Sequence, residues 1–283
     1  MTLVTTHISG SRGVSLTADC EGAADRPPVV LLHGGGQTRH SWRGTMHRLV
    51  QAGYRTIAYD ARGHGDSDWA PDGDYSLPAL ADDLRAVLAT LDRPAALVGA
   101  SMGGMASFYA AATGSPATAL VMVDIALRPN PVGAQKIIRF MTANPEGFAT
   151  LDEAVAAVAA YNPDRPRPSD SNGLRKNLRL REDGRLHWHW DPALIAGRPT
   201  PEPPDYSTAL LAVADGVTIP TLLMRGAQSD VVDEAGMVQM KARVPQLEIV
   251  EVAGAGHMVA GDRNDAFADA ILPFLARAHQ VTA

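Results

Sequence analysis

Over roughly the first 127 residues, short apolar or β-branched runs alternate with amphipathic stretches of about a dozen residues, and the alternation resumes near residue 217. Such a rhythm folds as βα units around a largely parallel sheet, because strands apolar on both faces need helices to cover them. Strands are expected at Val14 to Ala18, Val29 to Leu32, Tyr54 to Tyr59, Ala95 to Val98, Leu120 to Val123, Thr221 to Arg225 and Leu247 to Val252. Three- and four-residue apolar spacing predicts helices over Trp42 to Gln51, Leu77 to Leu91 with Ser76 as N-cap, Met102 to Ala112, Asp233 to Val244 and Asn264 to Ala278.

Between these blocks the rhythm stops. From Arg128 onward Pro129, Pro131, Pro163, Pro166, Pro168, Pro199, Pro201, Pro203 and Pro204 break the pattern, leaving one clear helix over Leu151 to Tyr161. The expected organisation is a core of residues 1–127 and 217–283, with 128–216 inserted. Within the insertion, Leu178 to Trp190 alternates on both sides of Asp183-Gly184. A two-residue turn would pair Leu180 with His187. A three-residue Glu182-Asp183-Gly184 loop with a left-handed Gly184 pairs Leu180 with Leu186 and Leu178 with Trp188, which keeps apolar residues on one face and is the expected register. The other face carries Arg179, Arg181, His187 and His189, as a solvated rim or a ligand-facing patch.

The chain has 283 residues, 46% hydrophobic and 20% charged, enough for a substantial core without covalent staples. Lys plus Arg number 25 against 31 Asp plus Glu, a net charge of −6 that provides no basic field for nucleic acid or anionic lipid. The single cysteine, Cys20, closes no internal disulfide and has no neighbouring Cys/His cluster for zinc, so it reads as a packed small residue. The first residues lack the basic start and apolar run of a secretory signal, and no apolar stretch spans a bilayer, so a cytoplasmic protein without membrane partners is expected.

The chemistry is concentrated in loops that follow predicted strands. Gly99-Ala100-Ser101-Met102-Gly103 lies between a strand and a helix, where a tight turn lifts the serine hydroxyl clear of the sheet and glycines two positions away let other elements pass close. The Met102 amide, at the helix start, points where an oxyanion would form. A neutral serine needs a base and an orienting acid. His257 sits in the glycine-rich run Ala253-Gly254-Ala255-Gly256 after the last strand, and Asp230 follows the Thr221 strand, both at carboxyl ends of strands on the same edge as Ser101.

In these loops the chain resembles the α/β-hydrolase family over nearly its whole length. His33-Gly34-Gly35-Gly36 is similar to the family's oxyanion loop, Asp60-Ala61-Arg62-Gly63-His64-Gly65-Asp66-Ser67 to its structural turn, and Ser101, Asp230 and His257 fall at its nucleophile, acid and base positions. The resemblance implies a mostly parallel eight-stranded sheet flanked by helices, with residues 128–216 as a cap after the sixth strand. It also implies Gly35 as the second oxyanion donor beside Met102. Asp124, which ends the sixth strand, is the alternative acid, as in relatives that keep it there. His33 is read as holding the oxyanion loop, and His33, Gly36, Trp42, Trp188 and Trp190 are the candidate pocket residues; Arg139, Arg179 and Arg181 are candidates to select an acidic acyl group.

A serine at the elbow excludes the alkyl-ester chemistry that an aspartate would run and leaves acyl chemistry. The expected function is hydrolysis of a carboxylic ester, lactone or thioester of small-molecule size, without cofactor or metal. Cofactor-free haloperoxidase or perhydrolase activity, carbon-carbon bond hydrolysis and ligand reception on the same fold are the alternatives, since fold and triad alone do not separate them.

Overall fold

A computed structural model describes residues 2–161, 163, 171–195, 206–257 and 264–281. Among these residues ten strands form: β1 (Val4–Ser9), β2 (Ser15–Glu21), β3 (Pro28–Leu32), β4 (Arg55–Tyr59), β5 (Ala95–Ala100), β6 (Ala117–Val123), β7 (Leu178–Leu180), β8 (Leu186–Trp188), β9 (Thr221–Gly226) and β10 (Leu247–Val252). The helices are α1 (Arg43–Gln51), α2 (Leu77–Leu88), α3 (Met102–Ala112), α4 (Pro131–Thr142), α5 (Leu151–Tyr161), α6 (Tyr206–Val213), α7 (Glu234–Arg243) and α8 (Asn264–Val281).

Eight strands make one sheet in the order β1-β2-β4-β3-β5-β6-β9-β10. β2 runs antiparallel to both neighbours and the remaining contacts are parallel. The central strands are buried on both faces, and each face has its own core. Val30, Leu32, Leu97, Leu120 and Met122 pack under α2 and α3, while Val29, Leu31, Val98 and Val121 pack under α1 and α8. The chain order reverses between β3 and β5, so the loops leaving their carboxyl ends diverge to opposite faces and open a crevice, the favoured place for a site in such a sheet.

Three elements escaped the periodicity. β1 is an edge strand whose residues are exposed except Ile8, so it carries no apolar alternation. α4 begins at Pro131, at a first-turn position where a proline forfeits no helix bond, and the Asn130 side chain caps it by accepting the Val132 N–H at 2.9 Å. α6 lies among the prolines that suggested irregular structure.

The hairpin forms in the expected register, Leu178 opposite Trp188 and Leu180 opposite Leu186, with Gly184 at φ +74°. Its other face is not a rim. Arg179 donates to the Gly65 carbonyl (2.8 Å) and to the Asp66 carboxylate (2.7 Å), and His189 also reaches the turn at residues 62–66. Asp191 accepts from the Tyr75 hydroxyl and donates its N–H to the Gly63 carbonyl. The described residues between β6 and β9 thus dock on the core beside the crevice, around a small cluster containing Phe148, Leu178, Trp188 and Trp190.

Candidate active site

Ser101 stands between β5 and α3 at φ 47°, ψ −114°, outside the regions L-residues prefer. The turn closes only because its flanks have no side chains. A Cβ on Gly99 would lie 2.3 Å from the Gly103 carbonyl oxygen, and one on Gly103 would lie 2.5 Å from that of Leu32. The Met102 N–H, in the first turn of α3, has no intrahelical acceptor and carries the positive end of the helix dipole.

His257 Nδ1 lies 2.8 Å from Asp124 Oδ2, so the imidazole donates to the aspartate that ends β6. Asp124 is wholly buried and at φ 50°, a left-handed conformation that turns its carboxylate across the sheet edge. It also accepts from the Gly226 N–H (2.8 Å) and the Ser229 hydroxyl (2.5 Å), leaving both oxygens satisfied and the carboxylate fixed. The loop after β10 is tied to the loop after β9 by Gln228 N–H to the Ala255 carbonyl at 2.9 Å, which settles the position of His257. A Cβ on Gly226 would meet the Gly256 carbonyl oxygen at 2.3 Å, so this crossing requires glycine.

The expected acid, Asp230, does not hold the imidazole. Its carboxylate is 43% exposed and pairs with Lys136 of α4 at 2.9 Å. The cause is local: the Ser229 hydroxyl accepts the N–H groups of Val231 and Val232, both at 3.1 Å, and burying these valines leaves Asp230 outward. β9 and its following loop still serve the site, through Gly226 at the strand end and Ser229 in the loop as donors to Asp124.

The His33-Gly34-Gly35-Gly36 run follows β3 into the crevice. Gly34 donates its N–H to Gln37 Oε1 (3.1 Å) and Gly36 to His64 Nε2 (3.2 Å), while among the described residues the Gly35 N–H has no acceptor. Gly35 and Met102 line the same cavity as Ser101, each with a backbone N–H that has no acceptor among the described residues. Three buried histidines surround the loop, their ring centres 5.1 Å (His33 to His64) and 5.8 Å (His64 to His189) apart. Burial pushes all three below the ordinary histidine range, His64 well below and His189 down to about 3, so they stand neutral.

Ser101, His257, Gly34, Gly35, Gly36 and Met102 line one cavity of about 460 Å³. Its wall is largely apolar, with Met105, Ile125, Ile137, Phe140, Met141 and Val158 prominent, and Tyr161 has its hydroxyl pushed up to about 12 by burial. Trp188 and Trp190, stacked at 4.9 Å, line it. Trp42 does not: it stands just before α1 and is buried in the core under α1 and α8, its ring 5.7 Å from that of Phe267. His33 lies behind the loop rather than in the cavity wall, its ring nitrogens engaged by Gly34 and Ala61. Arg139 bonds Gln135, Arg179 bonds Asp66, and Arg181 lies over Trp69, so none lines the cavity.

Lys176 was not singled out by the sequence, since one lysine among polar residues carries no pattern; it is the lining residue with a permanent charge among those described, and no Asp or Glu accompanies it there. His187 bonds Asp183, and no cluster of three or more His, Cys, Asp or Glu side chains suited to a metal occurs among the described residues. No helix among them is long and apolar enough to cross a membrane.

Comparison with known proteins finds hydrolases among the relatives of this chain. The chain is 29% identical over 249 residues to an esterase of Mycobacterium tuberculosis, covering 84% of this chain and 78% of that one. It is 30% identical over 237 residues to 2-(acetamidomethylene)succinate hydrolase of Mesorhizobium japonicum, covering 82% of each. A crystal structure of E-2-(acetamidomethylene)succinate hydrolase superposes with a TM-score of 0.82 at 25% identity, over 97% of this chain and all of the other. The model of the α/β hydrolase fold matches residues 27–263, so with relatives named as esterase and hydrolase the chain belongs to that family and is a hydrolase.

Proposed function

We propose that this chain is a serine hydrolase that cleaves a carboxylic ester, lactone or thioester through an acyl-enzyme on Ser101, with His257 as base and Asp124 as the orienting acid. The observation that carries the reading is the His257–Asp124 hydrogen bond at 2.8 Å, beside a strained serine in the same cavity. With Nδ1–H donated to Asp124, His257 Nε2 is left to accept a proton. It takes the Ser101 proton as Oγ attacks the carbonyl carbon, and the Gly35 and Met102 amides receive the developing oxyanion. The imidazolium then protonates the leaving oxygen or sulfur, and water attacks the acyl-enzyme by the reverse proton path. Residues 128–216 act as a cap whose apolar side chains shape the pocket, and a cavity of about 460 Å³ suits a small molecule.

A second reading has its own support. The Mesorhizobium relative is named for an acetamide of a dicarboxylate, and here the cavity carries the cation Lys176 with no lining carboxylate among the described residues. On that reading the same triad cleaves an acyl–nitrogen bond in an anionic substrate.

The test is turnover of p-nitrophenyl esters from acetate to decanoate, and of an anionic hemisuccinate ester, with labelling by a serine-reactive phosphonate. Turnover and labelling by the wild type, both lost in Ser101→Ala, are expected. Absence of labelling in the wild type refutes the assignment. Labelling with hydrolysis of enamides but not esters favours the second reading.

A further inference from the structure

In a trans peptide the carbonyl and the following N–H lie in one plane and point opposite ways, so holding one aims the other. The oxyanion loop contains three successive planes, and each is held by a different histidine. The Gly34 carbonyl, coplanar with the Gly35 N–H, accepts from His33 Nδ1 at 2.8 Å and from the Gln37 N–H at 3.0 Å. The Gly36 N–H, in the next plane, donates to His64 Nε2 at 3.2 Å. The Gly36 carbonyl, in the third, faces His189 Nε2 at 3.3 Å.

Each ring also accepts or donates on its far side. His33 Nε2 accepts the Ala61 N–H (2.9 Å), His64 Nδ1 faces the Arg62 carbonyl (3.0 Å), and His189 Nδ1 accepts the Gly65 N–H (2.7 Å). Every histidine thus accepts from one backbone N–H, which fixes its tautomer and requires it neutral. His33 and His64 belong to the core, whereas His189 comes from the residues between β6 and β9. Its neighbour Trp190 backs the same glycine: a Cβ on Gly36, at φ +74°, would lie 3.3 Å from the indole.

We infer that His189 is a positioning residue for the proposed hydrolysis: by donating to the Gly36 carbonyl while accepting from Gly65, it fixes the plane whose Gln37 N–H donates to the Gly34 carbonyl, and through that carbonyl the inserted segment helps hold the coplanar Gly35 N–H that His33 also aims. The inference rests on the serine-hydrolase reading and deepens it. The segment that carries His189 is pinned to the core by Arg179 and Asp191 as well, so this part of the cap stays with the oxyanion loop and does not act as a free flap. Because an oxyanion donor acts in the transition state, its misalignment lowers kcat and leaves KM for a neutral ester little changed.

The experiment compares His189→Asn with His189→Gln. Asparagine keeps an acceptor near Nδ1 for Gly65 and loses the donor to Gly36; glutamine places a donor near Nε2. The readouts are kcat and KM for a neutral p-nitrophenyl ester, and the inhibition constants of a trifluoromethyl ketone, which forms an oxyanion on the serine, and of a product carboxylic acid, which does not. His189→Asn is expected to lower kcat about ten- to a hundredfold and to weaken the ketone by a similar factor. KM and product binding should stay within about twofold, and glutamine should recover most of the loss. Equal behaviour of the two variants, a loss carried by KM, or an unweakened ketone overturns the inference while the hydrolase reading stands. A wild type that neither turns over esters nor binds the ketone overturns both. Thermal melting identifies any variant whose losses come from unfolding.

Discussion

Replacing Asp124 and Asp230 separately by asparagine tests which loop supplies the acid. Asp124 accepts from His257 Nδ1, Gly226 N–H and Ser229 Oγ and is fully buried. Asparagine at 124 keeps one oxygen, which Gly226 and Ser229 compete for, and presents an NH2 group toward the imidazole. That group donates to Nδ1, moves the ring proton to Nε2 and removes the base from the serine. A tautomer reversal of this kind lowers kcat by about 10⁴ in serine triads, or about 5.4 kcal/mol of barrier at 1.36 kcal/mol per decade. The displaced hydrogen bonds cost about 1–3 kcal/mol of stability in addition. Asp230, 43% exposed and paired with the 51% exposed Lys136, loses a surface ion pair worth at most about 1 kcal/mol, and kcat should change less than about twofold. The assay is steady-state hydrolysis of a p-nitrophenyl ester at pH 8, with melting curves to confirm that both variants fold. A hundredfold loss in Asp230→Asn beside a near-normal Asp124→Asn would refute the assignment.

Other perturbations follow from the same contacts. Ser229→Ala removes a donor to Asp124 and strands the Val231 and Val232 amides, so it should lower kcat about three- to tenfold and reduce the melting temperature. Gly103→Ala drives a Cβ to 2.5 Å from the Leu32 carbonyl oxygen and should leave little folded protein by circular dichroism, whereas Gly53→Ala meets nothing within 4 Å and is strained only by its φ of +92°. Lys176→Glu should lower kcat/KM for a hemisuccinate ester about five- to tenfold and leave the neutral butyrate within about twofold, and adding salt should narrow the gap.

For His64 and His189 the pH dependence has a definite sign. Both are held neutral below the unfolded value near 6.5, so stability is full above that pH and falls as acid protonates the unfolded chain first. The slope is about 1.4 kcal/mol per pH unit for each ring, continuing toward pH 3 for His189. Urea midpoints measured from pH 7.5 to 5 check this; a flat profile contradicts neutral burial.

Apart from β1, α4 and α6, the order of strands and helices was legible in the chain, as were the Gly99-to-Gly103 turn, the histidine loop and the hairpin register, since each rests on spacing within a few residues. Period-2 and period-3.6 patterns report which face is buried, and a glycine at a turn reports a backbone that tolerates no side chain. The choice between Asp124 and Asp230 was not legible, because both follow strands at the same sheet edge. Only the folded loop decides it, where Ser229 spends its hydroxyl on two valine amides and on Asp124 and leaves Asp230 facing Lys136. Trp42 likewise reads as a pocket aromatic until the turn before α1 closes on the sheet and sets it against Phe267. His189 lies 153 residues from the carbonyl it faces. Local sequence carries periodicity and turn chemistry, whereas long-range pairing depends on which groups remain unsatisfied once the sheet, the turn at residues 62–66 and the inserted hairpin have closed on one another.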